Sequence, residues 1–293
     1  MDIFPQPHRQ ISGTYIVPGR FDEEELTRLP IQDQFITTGM GGALPEQPTP
    51  ITFESVLDVG CGVGGWLIQT AVTYPTISRL VGIDTKTRML AYAREQAKQQ
   101  QVSERVEFLT MDALGILGFP AGSFDLVNIR MAATFVRTWN WPKILQEFQR
   151  VTRPDAVIRV TDSDMIGTCN SRAFDRWRDL LVQTFYQAGY LFAPDNNNLL
   201  QEIPRLMKQQ GIRNLQIYSH ALEVRGDTPA GQAFAEDAIR AIPGIIPFMQ
   251  KWLRLPDDFT RLTQQTISDI QQPDFLATWK LFTAWGTRVS PYT

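Results

Sequence analysis

Val56–Leu57–Asp58–Val59–Gly60–Cys61–Gly62–Val63–Gly64–Gly65–Trp66–Leu67 is the stretch on which the reading of this chain turns. Its first four residues favour a buried strand. Three glycines spaced two apart follow, and Trp66, Leu67, Thr70, Ala71 and Tyr74 then recur at helical spacing. Gly60, Gly62 and Gly64 let the backbone turn sharply and approach a bound group closely, and the helix behind them offers unpaired N–H groups at its start. Strand, glycine turn and helix in that order predict a βα unit whose turn faces a ligand.

The pattern repeats outward. Arg79–Asp84 predicts a second strand, with Met89, Leu90, Ala93 and Ala97 on the face of the next helix. Arg105–Thr110, Phe124–Ile129 and Ala156–Thr161 predict strands three to five. Before the fifth, Pro142 sits in a first helical turn, and Ile144, Leu145, Phe148 and Val151 share a face. Short apolar strands alternating with amphipathic helices specify the α/β class, with a parallel sheet covered on both faces. Upstream, Phe21–Phe35 predicts a short helix that Pro30 ends or kinks, and the Pro/Gly-rich Gly39–Pro50 separates it from the sheet. We therefore expect a cover segment at 1–50 and a main domain at 51–293, with helical insertions at about 163–210 and 228–272. Ile212–Val224 and Ala277–Val289 read as further strands. A two-domain division competes with this, but neither helical region is large enough to own a core.

Composition narrows the function. The 293 residues are 43% hydrophobic and 11% aromatic, enough to fill a substantial core. Twenty-eight Lys and Arg against 31 Asp and Glu give a net charge of −3, and the arginines are scattered singly, so DNA is not an expected partner. No basic leader or long uncharged apolar run appears. Cys61 and Cys169 read as free thiols, Cys61 because a bridge would distort the glycine turn. The expectation is a cytoplasmic protein without membrane insertion; nothing in the sequence sets its oligomeric state.

The turn and the strand ends define the ligand. Asp84 closes the second strand, where its carboxylate can accept hydrogen bonds from both ribose hydroxyls, with Thr85 beside it. Met89 is placed to cover an adenine face. Met111–Asp112–Ala113 follows strand three, where Asp112 can accept from an adenine amino group. A dinucleotide and S-adenosylmethionine both contain adenosine. The spacing Asp-x-Gly-x-Gly-x-Gly departs from the Gly-x-Gly-x-x-Gly of pyrophosphate sites, and the negative Asp58 would repel a pyrophosphate but suit an amine and a sulfonium. S-adenosylmethionine is therefore the expected cofactor, ahead of a dehydrogenase reading.

These residues resemble the class I S-adenosylmethionine-dependent methyltransferases, in the small-molecule and ubiquinone/menaquinone methyltransferase-like branch. The likeness rests on Val56–Gly64, Gly82–Ile83–Asp84, Met111–Asp112–Ala113, Phe124–Asp125–Leu126–Val127 and Val151–Thr152–Arg153–Pro154–Asp155, and covers about residues 50–162. It implies a Rossmann-like, seven-stranded sheet, mostly parallel with an antiparallel last strand, plus helical cover elements. It also implies a cofactor across the carboxyl ends of strands one to four, held by Gly60, Cys61, Gly62 and Gly64, by Asp84 and Asp112, and by Asn128, Ile129, Arg130 and Met131 at the exit of strand four. Asp155 departs from the family's usual glycine.

The acceptor is less legible. Methyl transfer proceeds by in-line displacement and relies on alignment and exclusion of water more than on one universal base. The expected partner is a small-molecule acceptor with a C, N or O nucleophile. His220, Asp162 and Asp164 are candidate catalytic groups, each with a competing role in packing or capping. Trp139, Trp141, Trp177, Phe185, Tyr186 and Tyr190 can wall a flat or cationic acceptor, or pack in the core. Tyr15 and Gln34 lie in the cover, and Tyr15 is placed to reach the cofactor. A noncatalytic protein that binds S-adenosylmethionine or S-adenosylhomocysteine remains an alternative, as does an RNA methyltransferase, which the absence of a basic tract disfavours.

Overall fold

A computed structural model describes residues 15–17, 22–47, 52–194 and 198–289, without the side chains of residues 22, 164–166 and 198. Residues 1–14, 18–21 and 48–50 of the expected cover segment, and the side chain of Asp164, lie outside that description.

The glycine turn joins β1 (Ser55–Val59) to α2 (Gly65–Thr73), and every residue of β1 is buried. That burial follows from its position. β2 (Arg79–Asp84) and β4 (Phe124–Arg130) flank it in parallel, with Asp58 level with Gly82 on one side and Asn128 on the other. β3 (Val106–Thr110) lies outside β2, and β5 (Thr152–Cys169) outside β4. β7 (Leu276–Thr287) runs antiparallel between β5 and β6 (Arg213–Arg225), giving the order β3-β2-β1-β4-β5-β7-β6. This is the mostly parallel seven-stranded sheet with an antiparallel last strand that the family resemblance implies. The order reverses between β1 and β4, so the crevice beyond their carboxyl ends is where an α/β sheet of this kind takes its ligand.

Alternate residues serve opposite faces. Val56, Leu80 and Leu126 pack with Trp66 and Leu67 of α2 and with Leu90 and Ala93 of α3 (Thr87–Gln99). Leu57, Val81 and Val127 pack on the other side against Trp141, Ile144 and Phe148 of α4 (Trp141–Val151). Near-continuous apolar strands reflect burial from both sides.

Two elements differ from the sequence reading. Pro30 does not end α1, which spans Asp22–Gly39, because packing against α7 (Pro229–Trp252) carries it past the missing hydrogen bond. Pro243 and Pro247 are likewise inside α7. The strand expected over Ala156–Thr161 runs to Cys169, since β7 pairs with it along almost its whole length. Its polar end, Asp162–Ser163, hides that extension from hydropathy. The helices beyond it are α5 (Arg172–Gln187) and α6 (Asn198–Gln209), and α8 (Phe259–Ile270) follows α7. Asp155 adopts φ 60°, the left-handed conformation at which the related turn uses glycine. No helix among the described residues is long and apolar enough to cross a membrane.

Gly64 caps α2 at φ 76°, and a Cβ there would lie 2.6 Å from the Phe108 ring and 2.9 Å from Ala93. Gly64→Ala is therefore expected to destabilise the fold by about 2–4 kcal/mol, combining left-handed strain with overpacking, as read from urea unfolding midpoints.

Candidate functional site

The turn adopts left-handed backbone at Gly60, Gly62 and Gly64, with φ of 71°, 53° and 76°. A Cβ on Gly60 would lie 2.5 Å from the Phe135 ring, whereas one on Gly62 would meet nothing within 4 Å. Gly60 is thus needed for packing, and Gly62 opens onto free space. Asp84, at the end of β2, ties this turn to the next one: Gly62 N–H donates to its Oδ2 at 3.0 Å and Lys86 N–H to its Oδ1 at 2.8 Å. Burial pushes the Asp84 carboxyl above its usual pKa, with these N–H groups opposing.

A cavity of about 350 Å³ runs from this turn across the carboxyl ends of the strands to the helices. At the strand end it is bordered by Gly60, Gly62, Asp84, Thr85, Met89 and Asp112, with Met111, Ala113, Arg130 and Met131 nearby. The sequence-predicted residues at the ends of β2 and β3 therefore converge on one space. Asp112 Oδ1 accepts from Leu114 N–H at 2.9 Å. Met131 turns the chain out of β4 at φ 52°.

Asp58, Cys61, Gly64, Asn128 and Ile129 do not border the cavity. Cys61 Sγ would stand 2.9 Å from a Cβ on Gly82, so it faces the sheet. Asp58 lies within a buried polar row. Asn128 Nδ2 donates to Asp58 Oδ1 at 2.7 Å, Arg159 Nη1 donates to Asn128 Oδ1 at 2.8 Å, and Arg159 Nε is 2.7 Å from Glu46 Oε1. Burial raises the Asp58 pKa to about 7 against the Asn128 hydrogen bond and the charge of Arg159. This corrects the sequence argument: Asp58 does not present a negative charge to a ligand, but supports the turn from below.

Arg130 borders the cavity, but it is ion-paired with Asp33 and donates to Thr37 Oγ1 at 3.1 Å, both on α1, so its charge holds the cover helix. Burial and the nearby Arg159 press its pKa down to about 9. His220 is buried on β6, its Nε2 3.4 Å from Thr283 Oγ1 and its ring edge-on to Tyr218, away from the cavity. Burial lowers its pKa. Asp162 does reach the cavity: its Oδ2 accepts from Ala133 N–H at 2.9 Å and its Oδ1 from Ser163 N–H at 2.8 Å.

The far half of the cavity is mainly apolar, with Arg28, Gln32, Arg178 and Asp237 also on its border. Trp177 and Phe185 of the predicted aromatic set border it, together with Phe174, Phe234, Ile242 and Trp279. Trp141 and Tyr190 are core residues, and Trp139, Tyr186 and Gln34 are exposed. Tyr15 also borders the cavity, with its hydroxyl donating to Glu25 Oε2 at 2.5 Å and Lys86 Nζ 4.7 Å from its ring centre. Sequence reasoning missed Arg28, Gln32 and Asp237, which meet in the wall between α1 and α7. The one available signal was Asp237 itself, an acid within the apolar helical stripe Phe234, Ala238, Ala241, Ile242, Ile245.

The sequence profile of a family described as "methyltransferase domain" matches residues 56–155, which span the glycine turn, Asp84 and Asp112. Residues 56–155 thus match the methyltransferase-domain profile within a sheet of the class I order. Among curated proteins, aklanonic acid methyltransferase DauC of a Streptomyces species is 36% identical over 107 residues, covering 36% of this chain and 47% of that protein. A 2-phytyl-1,4-naphtoquinone methyltransferase of a Synechocystis species is 31% identical over 124 residues, covering 42% and 51%. The chain thus spans about half the length of these relatives. Two solved structures agree on the fold. Phosphoethanolamine N-methyltransferase 2 of Haemonchus contortus, in complex with S-adenosyl-L-methionine, superposes with a TM-score of 0.53 at 20% identity, over 86% of this chain and 52% of that one. The [4+2]-cyclase SpnF superposes with a TM-score of 0.51 at 16% identity, over 94% and 98%.

The buried row carries a pH signature. A carboxyl whose pKa is raised on folding binds its proton more tightly in the native state, so its contribution to stability is fullest below its unfolded pKa near 4 and is lost as pH rises through about 7. Relative to Asp58→Asn, the wild-type protein is therefore expected to lose stability steadily between about pH 4 and pH 7. Parallel denaturation curves for the two proteins across that range would show a constant difference if Asp58 ionises normally.

Proposed function

We propose that this protein transfers the methyl group of S-adenosylmethionine to a nucleophilic atom of a small, largely apolar molecule. The observation that carries the reading is a single cavity with two unlike halves. One half gathers the glycine turn, Asp84 and Asp112, and the other is walled by aromatic and aliphatic side chains of α5 and α7.

The residues present fit the donor. Asp84 accepts from ribose hydroxyls, since its carboxylate has capacity beyond the backbone N–H groups it already receives. Met89, Met111 and Ala113 flank an adenine, with Asp112 at its amino group. Gly62, where a Cβ would project into free space, keeps a side chain out of the way of the methionine portion. The bound donor supplies an electrophilic methyl group on a positively charged sulfur. The chain's own task is to hold an acceptor in line with that carbon in a dry space. The apolar helices exclude water, and α1 covers the opening with Tyr15 beneath it. Asp162, at the junction of the two halves, is the candidate to take a proton from the acceptor, because both its oxygens are oriented by backbone N–H groups.

A small molecule rather than a nucleic acid is supported by the enclosure, the net charge of −3 and the acceptors in the names of two relatives, aklanonic acid and a naphthoquinone. Residues 51–293 then act as one catalytic unit with residues 1–50 as its cover.

Isothermal titration with S-adenosylmethionine and S-adenosylhomocysteine tests the donor: both are expected to bind, and binding of neither would overturn the proposal. Asp84→Ala removes two hydrogen bonds to a charged group and is expected to weaken S-adenosylhomocysteine by about 10- to 100-fold. An unchanged affinity in a folded Asp84→Ala protein would refute the ribose role.

A further inference from the structure

The wall of the cavity between α1 and α7 is apolar except along one seam. Arg28, 5% exposed, stands at its centre. Its Nε and Nη2 donate to Glu25 at 2.7 and 3.0 Å, its Nη1 donates to Asp237 Oδ1 at 2.7 Å, and Nη2 also lies 3.4 Å from the Tyr15 hydroxyl. Gln32 Nε2 donates to Asp237 Oδ2 at 3.2 Å. Two carboxylates thus share one guanidinium, and hydrogen-bond acceptors are in excess. Glu25 is the better compensated of the two. Burial pushes its pKa up, but the hydrogen bonds and charge of Arg28 outweigh that and hold it below the usual value. Asp237 is raised by burial despite Arg28.

Asp237 borders the cavity and is placed among Phe234, Ala238 and Ile242, a setting in which an acid is costly unless it is used. Each of its oxygens receives one donor and has capacity for another. Surplus acceptors in the seam and the flat aromatic walls beside it together describe a ligand that is apolar and ring-like and offers a proton to the seam.

We propose that Asp237, oriented by Arg28 and Gln32, is the acceptor-docking residue of this cavity and selects a hydroxylated aromatic molecule by accepting the hydrogen bond of its hydroxyl group. This rests on the methyl-transfer reading for its meaning, but the docking is a binding property of its own. A carboxylate or phosphate at the same place would face the excess of carboxylate oxygens and be rejected.

The test uses the full-length protein and three probes of one ring system: 1-naphthol, its methyl ether and 1-naphthoate, titrated calorimetrically with and without saturating S-adenosylhomocysteine. 1-Naphthol is expected to bind at least about tenfold more tightly than either of the others, as a hydrogen bond to a charged group implies. Asp237→Asn should remove most of that preference while leaving S-adenosylhomocysteine affinity intact, and Gln32→Leu, which removes the donor that orients Asp237 Oδ2, should remove part of it. Equal binding of naphthol and its ether, tighter binding of the naphthoate, binding of none, or a preference that survives both substitutions would each overturn the assignment. Failure of S-adenosylhomocysteine to bind the wild-type protein counts against the donor reading alone, since the naphthol comparison is made without it as well.

Discussion

The buried polar row Glu46–Arg159–Asn128–Asp58 is the constraint on which the site depends. Asp58, Asn128 and Arg159 occupy paired positions on three adjacent strands, so one rung of the sheet is polar where its neighbours are apolar. Arg159 is fully buried and its ion pair with Glu46 is almost equally dry. Burying such a pair gains little net stability over apolar side chains, yet losing one partner is costly, so its value lies in fixing positions. Glu46 arrives from the segment after α1, which brings the cover to the sheet. The same segment supplies Ala43, whose carbonyl accepts from Trp66 Nε1 at 2.8 Å. The Trp66 ring lies near both Arg159 and Arg130, at 5.8 and 6.0 Å. Turn, first helix and cover are therefore placed by one set of contacts. If Asp58 is protonated, the row is neutral overall, with Arg159 balanced by Glu46. Burial favours that state.

A second set of ions holds α1 over the cavity. Asp33 meets Arg130 from β4, and Arg28 meets Asp237 from α7, both pairs being largely shielded from water. A third, Glu23 with Arg88 of α3, is exposed and contributes little. The cover is thus anchored both to the sheet, whose strand ends form one half of the cavity, and to the helical insertion, which walls the other. Opening it would separate buried charges. Burial therefore biases the cover toward the closed position, and entry requires a partner able to replace those contacts or a route that leaves them in place.

What the sequence made legible was the half of the site built by local geometry. Glycine spacing, strand ends and helix faces are short-range features, and Gly60, Gly62, Asp84, Met89 and Asp112 all converge as their spacing implied. The residues that failed did so for long-range reasons. Asp58 reads as a strand acid facing the ligand until its neighbour at 128 and the arginine at 159 are known to share its rung. Arg130 reads as a strand-exit residue beside the cofactor until α1 folds back with Asp33. His220 sits in a strand that hydropathy located well, but its register across β7 turns it toward Thr283 rather than the cavity. Asp237 was visible as an anomaly in an apolar stripe. Its partner lies 209 residues away, a separation that no periodicity spans.

Fold likeness and function part company at the acceptor half. The same architecture superposes on a methyltransferase structure and on one described as a [4+2]-cyclase, so the sheet order alone does not specify a reaction. The strand-end half of the cavity, proposed to take the donor, is built from the matched domain, residues 56–155. The other half is built from α1, α5 and α7, all outside it. A domain can therefore keep its donor chemistry while its insertions change what is presented to it. In this chain the insertions bring aromatic walls and a seam rich in carboxylate oxygens. Those features discriminate among acceptors by desolvation and by hydrogen-bond polarity. A charged group would have to leave water for a space with little to replace it, whereas a ring carrying a hydroxyl loses little on entry and finds a partner for its one proton.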